Sequence, residues 1–256
     1  MLRRSFMLLS LAACGAPRAP APNPNRITRP DFGDADPTDW GGPGPARYPV
    51  HGIDLSRWQR DIDWPRAHAS GVNFAWVKAT EGSDRLDPMF TFHHDAARAA
   101  GVSIGAYHFF YWCGPPESQA AWFIRNVPKR AGDLPPVLDL EWTPFSPTCT
   151  VRPPASEVRD RAGRFLSILA RHYGQQPLIY TTPDFYEENQ IGRLGAETWL
   201  RAVARPIEQV YPGAPWRVWQ YSSTGTVPGV AGEVDLNCFN GSVADWQRWR
   251  AARSIR

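Results

Sequence analysis

The chain has 256 residues, a formal net charge of +3 and 43% hydrophobic residues, which allows either one large domain with a sizeable core or two small ones. A nucleic-acid-binding protein is not indicated, because no basic stripe with interleaved aromatic residues occurs. The 12 tryptophans exceed the needs of a minimal core and are typical of clefts that stack flat ligands such as sugars, although core packing also accounts for many of them.

The N-terminus has the pattern of an export signal. Residues 1–13, MLRRSFMLLSLAA, place arginines before an apolar run that is too short to cross a membrane. Leu11 to Cys14 resembles the bacterial lipobox, so we expect cleavage before Cys14 and a membrane anchor of acyl chains on that cysteine. An ordinary secretory signal cleaved nearby is the alternative. Gly15 in place of an aspartate favours the outer membrane, with the protein facing the periplasm.

A Pro/Gly-rich segment follows the signal. Residues 14–47 are rich in Pro, Gly, Asp and Asn and carry no apolar period. Such a composition predicts a disordered linker between the lipidated Cys14 and a folded domain over residues 48–256.

From residue 51 on, short apolar runs alternate with amphipathic stretches. Helices are predicted over Asp87–Ala100, Glu117–Asn126 and Glu157–Tyr173. Strand, helix and strand in succession indicate an α/β fold with a parallel sheet, and eight strands close it into a single TIM-like (β/α) barrel. The barrel is expected to be irregular, because few residues are left for helices between the last strands. The predicted strands are His51–Leu55, Asn73–Lys78, Val102–Phe110, Pro136–Trp142, Pro177–Thr181, Thr198–Val203, Arg217–Tyr221 and Glu233–Leu236.

Acidic residues stand near the ends of three predicted strands. Asp139 and Glu141, two residues apart in LPPVLDLEW, project to the same face of their strand. Taken alone, such a pair often caps a helix or binds an arginine. Asp54 ends HGIDLS and Asp235 ends GEVDLN, and the first and last strands of a barrel are neighbours. We therefore expect all these acids to face one mouth of the barrel.

The ordered motifs of the chain resemble those of glycoside hydrolase family 25, the lysozymes of Chalaropsis type. The resemblance runs from about Tyr48 to Trp249 and therefore covers nearly all of the predicted catalytic domain. The motifs that carry it are HGIDLS (51–56), FAWVKATEG (74–82), IGAYHF (104–109), PVLDLE (136–141), IYT (179–181), WQYS (219–222) and VDLN (234–237).

The resemblance implies hydrolysis of the β-1,4 bond between N-acetylmuramic acid and N-acetylglucosamine in peptidoglycan. Glu141 matches the general acid of the family, and Asp54, Asp139 and Asp235 match its other acidic positions. The family is regarded as retaining, with the acetamido group of the substrate as nucleophile and Asp139 orienting it. A covalent enzyme intermediate is the rival scheme. We expect no cofactor and no metal, because neither His93–His94 nor any cysteine pair has metal-ligand spacing. We also expect a monomer whose partners are glycan strands and, through the lipid, a membrane.

Aromatic and amide side chains beside the strand ends are candidates for sugar binding, although each suits barrel packing equally well. Lys78 and Glu81 are interpreted as neighbours of the catalytic set or as a salt-bridged turn. Arg201 departs from the apolar or small residue expected at its position in the sixth strand. The candidates for substrate binding are Tyr107, Phe109, Tyr111, Trp142, Tyr180, Gln220 and Tyr221.

The chain has four cysteines. With Cys14 lipidated, Cys113 and Cys149 lie in loops after two strands and are expected to form a disulfide, which leaves Cys238 free and buried.

Two rival functions remain open. The enzymatic rival is another exported hexosaminidase, chitinase-like or a glucosaminidase. The non-enzymatic rival is a wall-binding lipoprotein that has kept the fold without the activity.

Overall fold

The computed structural model describes residues 26–256, so the predicted signal and Cys14 lie outside the described residues. The helices are α1 (Trp64–Ala69), α2 (Phe90–Ala99), α3 (Pro116–Asn126), α4 (Ala155–Tyr173), α5 (Pro183–Asn189), α6 (Ile207–Val210) and α7 (Val243–Arg253), with 3-10 turns at Gly44–Arg47 and Ile191–Leu194. The strands are β1 (Gly33–Asp34), β2 (His51–Leu55), β3 (Val72–Glu81), β4 (Arg85–Leu86), β5 (Ser103–Phe109), β6 (Val137–Leu140), β7 (Leu178–Thr181), β8 (Thr198–Arg201), β9 (Val218–Thr226) and β10 (Val234–Phe239).

Eight strands close into a barrel in the order β2, β3, β5, β6, β7, β8, β9 and β10, and β10 pairs again with β2. These are the eight strands expected from the sequence, so the predicted irregular α/β barrel is confirmed. Helices cover the first part of the barrel, whereas the helix in the connection from β8 to β9, α6, has only four residues. No helix within residues 26–256 is long and apolar enough to cross a membrane.

The last strand of the barrel runs against its neighbours. The pairs from β2 round to β9 are parallel, but β10 is antiparallel to both β9 and β2. The connection between β9 and β10 is too short for a crossover helix, which a parallel pair needs. The prediction of a uniformly parallel sheet is therefore wrong for β10. Asp235 lies near the beginning of its strand, at the same rim as the carboxyl ends of the others.

Aromatic side chains fill the inside of the barrel below that rim. Trp76 of β3 and Trp199 of β8 lie with their ring centroids 5.2 Å apart, and both are buried. Gly105 of β5 makes this packing possible, because a Cβ there would lie 2.4 Å from the Trp76 Nε1 atom. Trp246 of α7 packs on Phe74 at 5.1 Å and covers the lower end of the barrel. The acids at the rim therefore lie above a floor of buried aromatic side chains.

Residues 26–47 pack along the barrel. The Thr28 N–H donates to Asn73 Oδ1 at 2.8 Å, and β1 pairs antiparallel with β9. Trp40 meets the outward face of Trp219 edge-on, with ring centroids 5.1 Å apart. The expectation of a disordered linker therefore does not describe this segment, because its scattered apolar residues bury themselves on a surface that composition alone does not reveal.

We expect the segment to contribute to stability. A fragment that begins at residue 48 loses the pairing of β1 and the packing of Trp40, and we expect it to unfold with a free energy lower by on the order of 3 kcal/mol than a fragment that begins at residue 26. Urea unfolding followed by tryptophan fluorescence measures the difference. Trp40→Ala in the longer fragment should lose part of this stability difference. Equal unfolding midpoints for the two fragments would contradict the prediction.

Candidate active site

A cavity of about 420 Å³ opens at the rim above the aromatic floor. Side chains alternate across each strand, so the residue two positions beyond an inward residue of the floor also points inward. Trp76 and Lys78 follow this rule on β3, and Trp199 and Arg201 follow it on β8. The cavity is lined by Asp54, Ser56, Trp58, Lys78, Tyr107, Phe109, Asp139, Glu141, Tyr180, Thr182, Trp199, Arg201, Gln220, Ser223 and Asp235.

The cavity brings together all four acids that the sequence analysis selected. Asp54 and Asp139 are 7% and 6% exposed, and Glu141 and Asp235 are partly buried at the mouth. Asp54 and Asp235 are direct partners in the antiparallel pair of β2 and β10. Of the expected sugar-binding residues, Tyr107, Phe109, Tyr180 and Gln220 line the same cavity.

Three expected sugar-binding residues do not line this cavity within residues 26–256. Tyr221 follows the inward Gln220 on β9, so it points outward, where its hydroxyl lies 2.9 Å from His51 Nδ1. Trp142 packs on Phe185 at 4.6 Å and donates to Glu188 Oε2 at 2.7 Å. The Tyr111 hydroxyl donates to Glu81. Strand alternation and loop packing direct these three rings away from the acid cavity, and a role for them in sugar binding stays a prediction.

A chain of hydrogen bonds holds Asp54 as an acceptor. Asn237 Nδ2 and Gln220 Nε2 donate to Asp54 Oδ2 at 2.7 and 3.0 Å. An indole N–H can only donate, so the 2.7 Å bond from Trp199 Nε1 makes Asn237 Oδ1 the acceptor and turns its NH₂ towards Asp54. The Tyr180 hydroxyl donates to Gln220 Oε1 at 2.7 Å, which leaves the Gln220 NH₂ to donate to Asp54. The carboxylate form of Asp54 is therefore favoured by two fixed donors.

Burial raises the pKa of every acid in the cavity, to different extents. Burial raises the pKa of Asp54 to about 6, against the lowering effect of the bonds from Asn237 and Gln220. Burial and the charge of Asp54 raise the pKa of Asp235 to about 8. At neutral pH the two paired strands therefore present one carboxylate, Asp54, and one protonated acid, Asp235.

Asp139 and Glu141 also have raised pKa values. Burial and then the negative charge of Glu141 raise the pKa of Asp139 well above its ordinary value, and burial also raises the pKa of Glu141. Asp139 Oδ1 is buried and has no hydrogen-bond partner within residues 26–256. A buried carboxyl oxygen of this kind is costly unless a ligand satisfies it.

Two cations reach into the cavity. Lys78 forms an ion pair with Glu81 at 2.6 Å and lies 4.6 Å from the centre of the Phe109 ring. Arg201 lies in the field of Asp54, Glu141 and Asp235 and acts to lower the pKa of each.

The loop that carries Glu141 is fixed on its outer side. Trp112 Nε1 donates to the carbonyl oxygen of Glu141 at 3.0 Å. Cys113 and Cys149 form a disulfide with their Cα atoms 5.7 Å apart, which joins the loops after β5 and β6. Cys238 is a free, buried thiol. The rim around Glu141 is thus held by both a covalent and a hydrogen-bonded contact.

The residues of the site that sequence reasoning did not select include Asn237, Arg201 and Trp58. Asn237 and Arg201 each lie two positions beyond a residue whose inward direction strand alternation reveals, and this signal was sufficient to find them. Trp58, which is 75% exposed, stands on the loop after β2, where no periodic signal applies.

Comparisons with known proteins agree with this architecture. The family model described as "Glycosyl hydrolases family 25" matches residues 53–230. The uncharacterized protein YegX of Escherichia coli K12 is 36% identical over 79% of this chain and 74% of its own length. Lysozyme M1 of Streptomyces globisporus is 35% identical over 76% of this chain and 69% of its own. The crystal structure of a lysozyme from Streptomyces coelicolor superimposes with a TM-score of 0.69 and 33% identity, covering 77% of this chain and 94% of that one.

The raised pKa of Asp235 predicts a pH-dependent effect on stability. Its folded pKa of about 8 exceeds the ordinary 3.8, so between these values the folded protein keeps a proton that the unfolded chain has lost, and the free energy of unfolding falls as the pH rises. Asp235→Asn removes this pH-dependent fall in the free energy of unfolding. We therefore expect the variant to be more stable than the wild type by on the order of 2 kcal/mol at pH 8 and about equally stable at pH 4.

Urea unfolding at the two pH values measures the effect. The exposed Asp36→Asn serves as the control and should change neither value. A variant at position 235 that is destabilised at pH 8 would show that the carboxylate is stabilised in the folded protein.

Proposed function

The chain belongs to glycosyl hydrolases family 25 and is a glycoside hydrolase, and on that premise we propose that it cleaves the β-1,4 bond between N-acetylmuramic acid and N-acetylglucosamine in peptidoglycan. The observation that carries the proposal is the gathering of Asp54, Asp139, Glu141 and Asp235 in one sugar-sized cavity. A protein that only binds the wall gains nothing from crowding carboxyl groups, since each costs desolvation energy.

Glu141 is the general acid of the proposed reaction. It directly follows β6 and lines the cavity, its pKa is raised by burial, and its carbonyl oxygen accepts a hydrogen bond from Trp112. A raised pKa keeps a carboxyl protonated near neutral pH, so it can donate to the leaving glycosidic oxygen. As the glycosidic oxygen takes up this proton, its bond to the anomeric carbon breaks and the sugar leaves as an alcohol.

Asp139 orients the acetamido group of the substrate. Its unpartnered Oδ1 atom is an acceptor for the acetamido N–H, and such a bond favours the carboxylate form of Asp139. The proton of the Asp139 and Glu141 pair then resides on Glu141, where the leaving group needs it. The acetamido oxygen attacks the anomeric carbon, and the later attack of water retains the configuration.

Asp54 supplies negative charge close to the reacting centre. Two amide donors hold it as a carboxylate acceptor, and its pKa of about 6 leaves it ionised at pH 7. Positive charge develops at the anomeric carbon in the transition state, so a fixed carboxylate in a buried cavity stabilises it. Asp235, with a pKa of about 8, donates rather than accepts at this pH.

We place the enzyme outside the cytoplasm. The support is the pattern of residues 1–13 and the lipobox-like sequence ending at Cys14, both outside the described residues. Peptidoglycan lies outside the inner membrane, so an exported, lipid-anchored enzyme in the periplasm meets its substrate. The Cys113–Cys149 disulfide agrees with an oxidising compartment.

Digestion of purified peptidoglycan tests the function. We expect soluble muropeptides whose new reducing end is N-acetylmuramic acid, identified by mass spectrometry after borohydride reduction. Reduced glucosamine ends indicate a glucosaminidase instead. Binding to the wall without release of muropeptides indicates the non-catalytic rival.

Substitution of Glu141 tests the role of the acid. Glu141→Gln keeps the size of the side chain but cannot donate a carboxyl proton, so we expect wall lysis to fall by at least about a hundredfold. Turbidity loss of wall suspensions gives the rate, and circular dichroism shows whether the variant is folded. Glu188→Gln, at the partner of Trp142 outside the cavity, is the matched control and should keep its activity. A folded and active Glu141→Gln enzyme would refute the assignment.

A further inference from the structure

The guanidinium of Arg201 is the unusual charged group of the cavity. Within residues 26–256 it donates to no acceptor in the protein and forms no ion pair within 4 Å, whereas the other cation, Lys78, pairs with Glu81. Yet Arg201 is partly buried and lines the same cavity as the acids. A partly buried guanidinium with five free donors needs an acceptor that the described chain does not provide.

The backbone holds Arg201 in a fixed position. Its residue pairs with Gln220 across β8 and β9, and its carbonyl oxygen accepts a 2.9 Å bond from the Tyr211 hydroxyl. The next residue, Ala202, accepts from Trp219 Nε1 at 2.8 Å. The side chain therefore enters the cavity from a strand end whose backbone is hydrogen-bonded on both sides.

The guanidinium shares one cavity with the acids. Arg201, Asp54, Glu141 and Asp235 all line it, and the charge of Arg201 acts on these three acids. Asp139, by contrast, faces the charge of Lys78. A sugar bound in this cavity with its glycosidic oxygen at Glu141 therefore has the guanidinium in the same cavity.

N-acetylmuramic acid differs from N-acetylglucosamine by a lactyl ether on O3, whose carboxyl group is free or amide-linked to the stem peptide. Guanidinium groups bind the two oxygens of a carboxylate, or an ether and a carbonyl oxygen, with a planar pair of donors. We propose that Arg201 binds the lactyl group and thereby selects N-acetylmuramic acid in the position beside Glu141. The proposal rests on the proposed function, since it names the group by which that site recognises its substrate.

Binding measurements in an inactive background test the proposal. In full-length Glu141→Gln protein we compare the Kd values for a peptide-free glycan strand with lactyl groups and for a chitooligosaccharide of equal length, which lacks them. We expect Arg201→Gln to weaken binding of the lactyl-bearing strand by about 10- to 100-fold and to leave binding of the chitooligosaccharide unchanged. Equal loss for both ligands, or for neither, overturns the proposal.

A charge-preserving variant separates recognition from electrostatics. Arg201→Lys keeps the positive charge beside the acids but loses the planar pair of donors. In otherwise active protein we expect its pH profile on lactyl-bearing glycan to match that of the wild type while KM rises. A wild-type KM for Arg201→Lys, with a shifted pH profile for Arg201→Gln, assigns Arg201 to tuning of the acids and overturns the proposal.

The matched control is Arg205→Gln, an exposed arginine on the loop after β8 that does not line the acid cavity. It should change neither Kd. Failure of this inference is distinct from failure of the function, because a wild-type enzyme that releases muramic acid ends keeps the function whatever Arg201 does.

Discussion

The structure depends on the desolvation of four carboxyl groups at one rim of a closed barrel. Each is less stable ionised there than in water, and the resulting increases in pKa leave a mixture of carboxylates and protonated acids near neutral pH. Glycoside hydrolysis requires this mixture, because a proton donor and a stabilising anion must act on the same bond. The barrel supports the arrangement because it excludes water beneath the acids and gives each of them its own strand position.

The surrounding polar groups decide which acid keeps its proton. Asp54 receives two amide donors, one of them directed by the indole of Trp199 and the other bonded to the Tyr180 hydroxyl, so it ionises more readily than Asp235. Burial and the negative charge of Asp54 instead keep Asp235 protonated to a higher pH. Both side chains are aspartates on adjacent strands, and their different pKa values follow from the groups around them. The aromatic floor therefore has a second use, since its indole N–H also orients the polar layer above it.

The reversed direction of β10 has a functional consequence. In a parallel strand the residues that reach the rim are the last ones, but in β10 they are the first, so Asp235 meets Asp54 directly and Asn237 lies one layer deeper under it. A single strand thus supplies both a rim acid and the donor that fixes the neighbouring acid. On the opposite side of the cavity, β8 is short and leads into a connection with little helix, and Arg201 at its end remains open to a ligand.

The sequence by itself determined the barrel class, the eight strands and the four acids, because apolar runs, helical periods and the two-residue alternation of Asp139 and Glu141 are local properties of the chain. Tertiary structure decided the direction of β10, which depends on the length of a connection, and the outward course of Tyr221, which depends on the phase of β9 relative to the barrel axis. It also decided the contact of residues 26–47 with the barrel and the unpaired state of Arg201 within the described residues. These features depend on which residues distant in the chain come into contact, and local sequence patterns do not determine such contacts.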